Sequence, residues 1–405
     1  MKAQLLPLLQ AAAKNADAHS MLWMGVTDEE ELSKSDPYFS ALGLALLGAE
    51  ELAIFRKGNV QYLPNSSSST SIWHLTKWMI ERTRFCRSAE TALDDLFAYL
   101  ANPEMVVHHV QPIAQVEVAG LDEPYEFPNG VMLRHSGGVP NATLAFQLTR
   151  WSYGVPAPRY HFALTKEHLY PVPIGKARLE GDREFFWSWE ELQSSSQQLE
   201  DVALCLGLAS DVKEGVFGGP KTIVPDTRIP FATDWGAWDL ERLAAPNFMV
   251  SLAPVEVHNA ARLAGYLDCL EPTDADRIRV PLRHLNLFGA RLPLVEKAIH
   301  LRVALETSFL SKDNGPGLAD RIALRAAIVT GSNLEERREI KQAVKKAYDL
   351  ASGAVHKGSL KETESPRLTA AAEICQKALQ LFLVYGGLPN DWFEIDTEGF
   401  RERKA

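Results

Sequence analysis

The sequence predicts an α+β chain of more than one domain: a mixed α/β N-terminal portion, a β-rich middle region and an all-α helical bundle at the C-terminus. Three observations carry this reading. Apolar residues between about 290 and 396 recur at helical spacing. Residues 105–232 are short β-branched and aromatic runs cut by glycine and proline turns. A chain of 405 residues, 46% hydrophobic and 23% charged, has material for two or three domains. The expected divisions are an N-terminal mixed or helical region over 1–104, a β-rich region over 105–232, a connector over 233–285 and a helical domain over 286–396.

Taken in order, the first thirteen residues hold leucines interrupted by Gln4, Pro7 and Gln10, too broken for a secretion signal, and read as an amphipathic helix. The serine run from Ser66 to Ser69 reads as a loop. A helix follows Ser88, a plausible N-cap, because Leu93, Leu96, Phe97 and Leu100 line one helical face and Pro103 ends the run. Strands are expected at Val116–Val118, Gly130–Leu133 and Ala142–Leu148, with turns at Gly137–Asn141 and Gly154–Pro158. A helix spans Trp189–Leu208. In the last region Leu294, Val295, Ala298, Leu301, Leu305 and Phe309 share a helical face closed by Gly315-Pro316-Gly317. The final long helix starts with Ser365 as cap and Pro366 in its first turn, buries Leu368, Ala371, Ala372, Cys375, Leu379, Phe382 and Leu383, and leaves through Gly386-Gly387.

Composition narrows the function classes. A net charge of -10 argues against nonspecific nucleic-acid binding by the whole surface, so any such contact needs a local basic patch. Cys86, Cys205, Cys269 and Cys375 are far apart and form no CxxC pair, which fits buried free thiols and no zinc site. No run is long and apolar enough for a membrane span, so a soluble cytoplasmic protein without cofactor or metal is expected. His108-His109 precedes an expected strand without a third ligand. Gly215–Thr222 superficially matches a phosphate loop, but Pro220 removes a needed amide and leaves a glycine turn. Trp151, Tyr153, Tyr160, Trp187 and Trp189 read as core and turn packing or as a ligand groove.

The chemistry-bearing stretch is Tyr348-Asp349-Leu350-Ala351-Ser352-Gly353-Ala354-Val355-His356-Lys357-Gly358, at the end of a basic helix. It resembles the Y-x-x-R-S-x-x-V-H-G motif of Apea-like HEPN domains, an all-α family whose active members cut RNA with R-x4-6-H. Arg302–Glu306 resembles that family's first helix motif, Leu318–Ala327 its second helix, and Glu335–Arg338 the start of its third. The histidine is matched by His356. The arginine is not, since positions 349, 350 and 351 hold Asp, Leu and Ala.

The resemblance implies a dimer through this domain, metal-independent attack of a ribose 2'-hydroxyl on its own phosphodiester, and proton transfer by His356. Lys357 is the candidate replacement cation, as a point charge without the bidentate grip of arginine. Glu306, four residues from Arg302, would orient the imidazole or form a plain salt bridge. Arg337, Lys341 and Lys345 fall four apart and with Arg338 make a basic stripe that fits either an RNA backbone or a solvated face balanced by Glu335, Glu336 and Glu339. The alternative for His356 is a helix cap bonded to a backbone carbonyl. The implied function is an RNA-cleaving effector of a prokaryotic defence or toxin-type system, with a possible regulatory protein partner. The alternative is a HEPN module without catalysis that dimerises and binds RNA, nucleotide or partner.

Overall fold

The computed structural model describes residues 1–18, 33–56, 59–63, 66–114, 116–139, 161–176, 189–216, 218, 221–225, 228–230, 237–238, 250–310 and 317–400. The helices are α1 (Lys2–Ala18), α2 (Pro37–Gly48), α3 (Ile72–Cys86), α4 (Ala89–Ala101), α5 (Trp189–Ala209), α6 (Pro254–Asp268), α7 (Pro272–Phe288), α8 (Leu294–Phe309), α9 (Leu318–Thr330), α10 (Leu334–Lys357), α11 (Ser365–Val384) and α12 (Trp392–Glu398). The strands are β1 (Asn59–Leu63), β2 (Ser66–Ser69), β3 (Glu104–Ile113), β4 (Val116–Val118), β5 (Tyr125–Glu126), β6 (Met132–His135), β7 (Phe162–Pro171), β8 (Ile174–Lys176), β9 (Lys221–Pro225), β10 (Ala237–Trp238) and β11 (Val250–Leu252). The chain is thus mainly helical, with small, largely antiparallel sheets before residue 253 and a helical C-terminal region. Among the described residues three sheets are ordered β2-β1-β8, β10-β9-β3-β7-β6-β5 and β11-β4, the last pair parallel with Val250 opposite Val116.

Contacts divide the chain into two units: Met1–His109 with Glu167–Ser194 and Ile223–Gly236, and Val110–Lys166 with Ser195–Thr222 and Ala237–Ala405. In the first, α1 lies against α2, α3 and α4. Leu5, Leu9, Ala12 and Ala16 form its buried stripe, at the three- and four-residue steps that put side chains on one helix face. Side chains satisfy the free amides at three helix starts: Asp36 accepts from Tyr38 N (2.8 Å), Ser71 from His74 N (3.1 Å) and Ser88 from Thr91 N (3.2 Å). The serine run is no loop. Ser66–Ser69 pairs antiparallel with β1, where ladder bonds satisfy a polar backbone that the side chains alone would not order. His108 and His109 lie inside β3 and make contacts with different partners. His108 faces Glu167 at 3.6 Å, and His109 Nε2 is 3.2 Å from the Tyr170 hydroxyl.

In the second unit the strand residues Val116, Leu133, Phe162 and Leu164 share one core with Leu199, Val202 and Leu206 of α5 and the inner faces of α6–α11. The span 233–285, expected as a connector with some helix, carries α6 and most of α7, two full helices each started by a proline in its first turn. The end of α5 is held by α11: Gln376 Nε2 donates to the Leu208 and Ser210 carbonyls (3.0 and 2.7 Å), and Gln380 Nε2 to Leu208 (2.8 Å). α8 stops at Phe309 rather than at the glycine-proline run, and Gly317, at φ +80°, instead starts α9. Ser365 is not the cap of α11. It is already helical, and the residue before it, Glu364, offers no side-chain cap. The exit is as expected, with Gly386 and Gly387 at φ +94° and +105° and Gly387 N bonded to the Phe382 carbonyl (2.7 Å).

The four cysteines are free; Cys205 and Cys375 are buried as expected, whereas Cys86 is half-buried and Cys269, the C-cap of α6, is exposed. Burial pushes the Cys375 thiol up to about 12, so it stays protonated. The expected strand at Ala142–Leu148, the turn Gly154–Pro158, and Trp151, Tyr153, Tyr160 and Trp187 lie outside the described residues, as do Pro140 and Asn141 of the turn Gly137–Asn141, and Phe217, Gly219 and Pro220.

Candidate functional site

The candidate site sits on α10, a 24-residue helix. Asn333 caps its start by accepting from Glu336 N at 3.0 Å, and Gly358, at φ +64°, ends it in the left-handed conformation that glycine adopts without a Cβ penalty. One face, formed by Ile340, Val344, Ala347, Tyr348, Ala351 and Ala354, is buried. The opposite face is exposed. His356 and Lys357 occupy the last turn, where cations meet the negative end of the helix dipole.

Both side chains are exposed, and among the described residues neither makes a hydrogen bond or an ion pair. His356 therefore does not cap the helix through a carbonyl; the exit is closed by the backbone, where Gly358 N donates to Ala354 O at 2.8 Å. It is not packed into its own core either. Seven residues back, two helical turns, Asp349 lies exposed on the same side as His356, whereas Ala351 is completely buried. The positions where the family motif carries arginine thus offer one outward carboxylate, one half-buried leucine and one core alanine.

Glu306 is engaged elsewhere. Its Oε1 accepts from Arg302 Nε at 2.7 Å and from the Tyr348 hydroxyl at 2.6 Å, and the Arg302 guanidinium lies 5.6 Å from the Tyr348 ring centroid. Burial and the bond to Glu306 push the Tyr348 phenol up to about 12. Tyr348 precedes His356 by eight residues, about 12 Å along the axis at 1.5 Å per residue. Within this chain the Glu306 carboxylate accordingly orients Tyr348 rather than the imidazole.

The basic stripe is likewise partly committed. Lys345 Nζ donates to both Asp320 oxygens on α9, at 2.8 and 2.9 Å, and this bond holds the Asp320 carboxyl below its usual range. Arg337 Nε donates to the Gly331 carbonyl at 3.0 Å, where α9 ends. Arg338 approaches Glu335 at 3.9 Å on the open surface, a pair of little energetic weight. Lys341 is half-buried, and Lys346 is exposed without an ion pair among the described residues. Lys345 and His356 share one face but stand about 16 Å apart along the axis.

Two polar clusters of this unit have no sequence signal. Arg325, buried on α9, donates to the Phe309 carbonyl (2.9 Å) and forks onto Asp396 of α12 (3.0–3.2 Å), with its guanidinium 4.9 Å from the Trp392 ring centroid. His284 and His300, from α7 and α8, approach Nδ1 to Nδ1 at 3.0 Å. Among the described residues no three metal-ligating side chains converge. No helix in the described residues is long and apolar enough to cross a membrane. No family model matches the chain, and comparison with curated proteins and solved structures finds no similar one.

Proposed function

We propose that residues 286–396 act as a HEPN-type domain and that the protein is a homodimeric, metal-independent RNA-cleaving effector of a prokaryotic defence or toxin-type system. The observation that carries this reading is the exposed His356 at the open end of α10, uncommitted to any partner among the described residues and followed by Lys357. A general acid–base group must be reachable by substrate and able to exchange protons near neutrality, and imidazole meets both needs. In the reaction, the ribose 2'-oxygen bonds to phosphorus as its proton leaves to an imidazole. The P–O5' bond breaks, and the leaving oxygen takes a proton, which yields a 2',3'-cyclic phosphate and a 5'-hydroxyl. Lys357 supplies the positive charge facing the phosphate. The first unit would sense a trigger or hold the dimer inactive, alone or with a regulatory protein, in the cytoplasm.

A second reading is favoured by Asp349: an exposed carboxylate on the histidine face repels phosphate, which suits a domain that dimerises and binds RNA, nucleotide or partner without cutting. One substitution separates the two. Asp349→Arg recreates the R-x6-H spacing on an exposed position, and a preorganised cation of this kind is worth about 10²–10³ in rate. The catalytic reading expects RNA cleavage to rise by about that factor in this variant and to vanish when His356→Ala is added. Unchanged, undetectable cleavage in Asp349→Arg favours the binding module.

A further inference from the structure

A groove of about 740 Å³ in the second unit does not include His356 in its lining. It is formed between the α7–α8 connection, the turn Glu362–Glu364 and the first two turns of α11, and its size falls in the range of small-molecule sites. The apolar part of its lining includes Phe288, Leu292, Leu294 and Pro366. Four charged side chains complete it, two of each sign: Lys213, Lys297, Glu362 and Glu373.

These side chains do not pair directly. None of the four side chains forms an ion pair or a hydrogen bond among the described residues, although opposite charges line the same groove. Elsewhere in this unit lysines and carboxylates do pair, as Lys345 with Asp320 and Lys377 with Glu336. Lys297 is half-buried with its ammonium 5.9 Å from the Phe288 ring centroid, and desolvation holds it below the usual lysine range while Glu362 pulls the other way. The hydroxyls of Ser365 and Thr369 also face this groove and make no hydrogen bond among the described residues. A half-desolvated ammonium against an aromatic wall, with carboxylates set beyond pairing distance, is matched by a ligand that brings its own opposite charges. Three of the four groups, Lys213, Glu362 and Glu373, are exposed, and a zwitterion would replace the water on both signs of charge at once.

We propose that this groove binds a small zwitterion with an apolar body, of the chemical class of an apolar amino acid or short apolar peptide. Its carboxylate meets Lys297 and Lys213, its ammonium meets Glu362 and Glu373, and its side chains cover Phe288, Leu292 and Leu294. The proposal does not depend on the catalytic reading of His356.

Isothermal titration of the full chain with leucine, phenylalanine and the dipeptide leucyl-phenylalanine tests it, with the N-acetylated and C-amidated dipeptides alongside. Saturable binding of at least one zwitterion is expected, weakened about tenfold or more by capping either end. The double variant Glu362→Gln/Glu373→Gln, at exposed positions, should bind the free and N-acetylated dipeptides alike while still discriminating against the C-amide. Lys297→Met should do the converse. No saturable binding of any zwitterion, equal affinity for capped and free forms, or unchanged discrimination in the glutamine variant overturns the proposal.

Discussion

Removing the Asp396 carboxylate isolates the energetics of the second unit most cleanly. Arg325 is 4% accessible, and its guanidinium places three contacts of 3.0–3.2 Å on Asp396 and one of 2.9 Å on the Phe309 carbonyl. Deleting one partner of a buried ion pair costs about 3–5 kcal/mol because the other charge is left without compensation. Asp396 is itself 29% accessible, so water reaches the vacated position and the lower end applies, about 3 kcal/mol for Asp396→Ala. For a unit of this size that corresponds to a fall in Tm of about 9 °C. Asp396→Asn, which still accepts a hydrogen bond, should lose roughly half as much. Urea unfolding followed by tryptophan fluorescence and by circular dichroism gives both numbers, and the double variant Arg325→Met/Asp396→Ala should be less destabilised than the sum of the singles. A loss below about 0.5 kcal/mol for Asp396→Ala would show a surface pair of no weight and refute the reasoning.

Two further outcomes follow from the same geometry. Tyr348→Phe removes the donor to the Glu306 carboxylate and should destabilise by about 1.5–3 kcal/mol in the same unfolding assay, while Glu306→Gln, which retains an acceptor, should cost less. Burial lowers the affinity of His284 and His300 for protons, each ring's protonation being opposed further at His284 by His300 and Arg283 and favoured at His300 by Glu296. Because the unfolded chain takes up these protons first, the contribution is complete above the ordinary histidine value of 6.5 and is lost as pH falls from there through the lowered folded values. Tm should therefore drop as pH falls below about 6.5, and His284→Gln/His300→Gln should flatten that slope; an unchanged slope refutes the assignment.

What the sequence discloses is what short range determines. The Ser88 cap, the α4 face of Leu93 and Leu96, the glycine exit of α11 and the Arg302–Glu306 pair rest on residues within a turn or two of one another, where helical spacing fixes who meets whom. Ser365 missed the cap position by one residue, because the turn Glu362–Glu364 already commits the backbone to helix before it. The serine run reads as a loop until its partner strand is known, since pairing and not side-chain character makes it a strand. At the candidate site, spacing put Arg337, Lys341, Lys345 and His356 on one helix, but the partners that redefine them are remote: Asp320 is 25 residues from Lys345, and Tyr348 is 42 from Glu306. Arg325 and Asp396, 71 apart, carry no local pattern at all.

The most direct test of the account is to incubate the full chain and His356→Ala with total RNA and tRNA in EDTA, establish the oligomeric state of both, and determine the chemistry of any new RNA ends. The account predicts cleavage by the wild-type dimer alone, leaving 2',3'-cyclic phosphate and 5'-hydroxyl termini. Intact RNA after incubation with a dimeric wild type, or the same cuts made by His356→Ala, contradicts it.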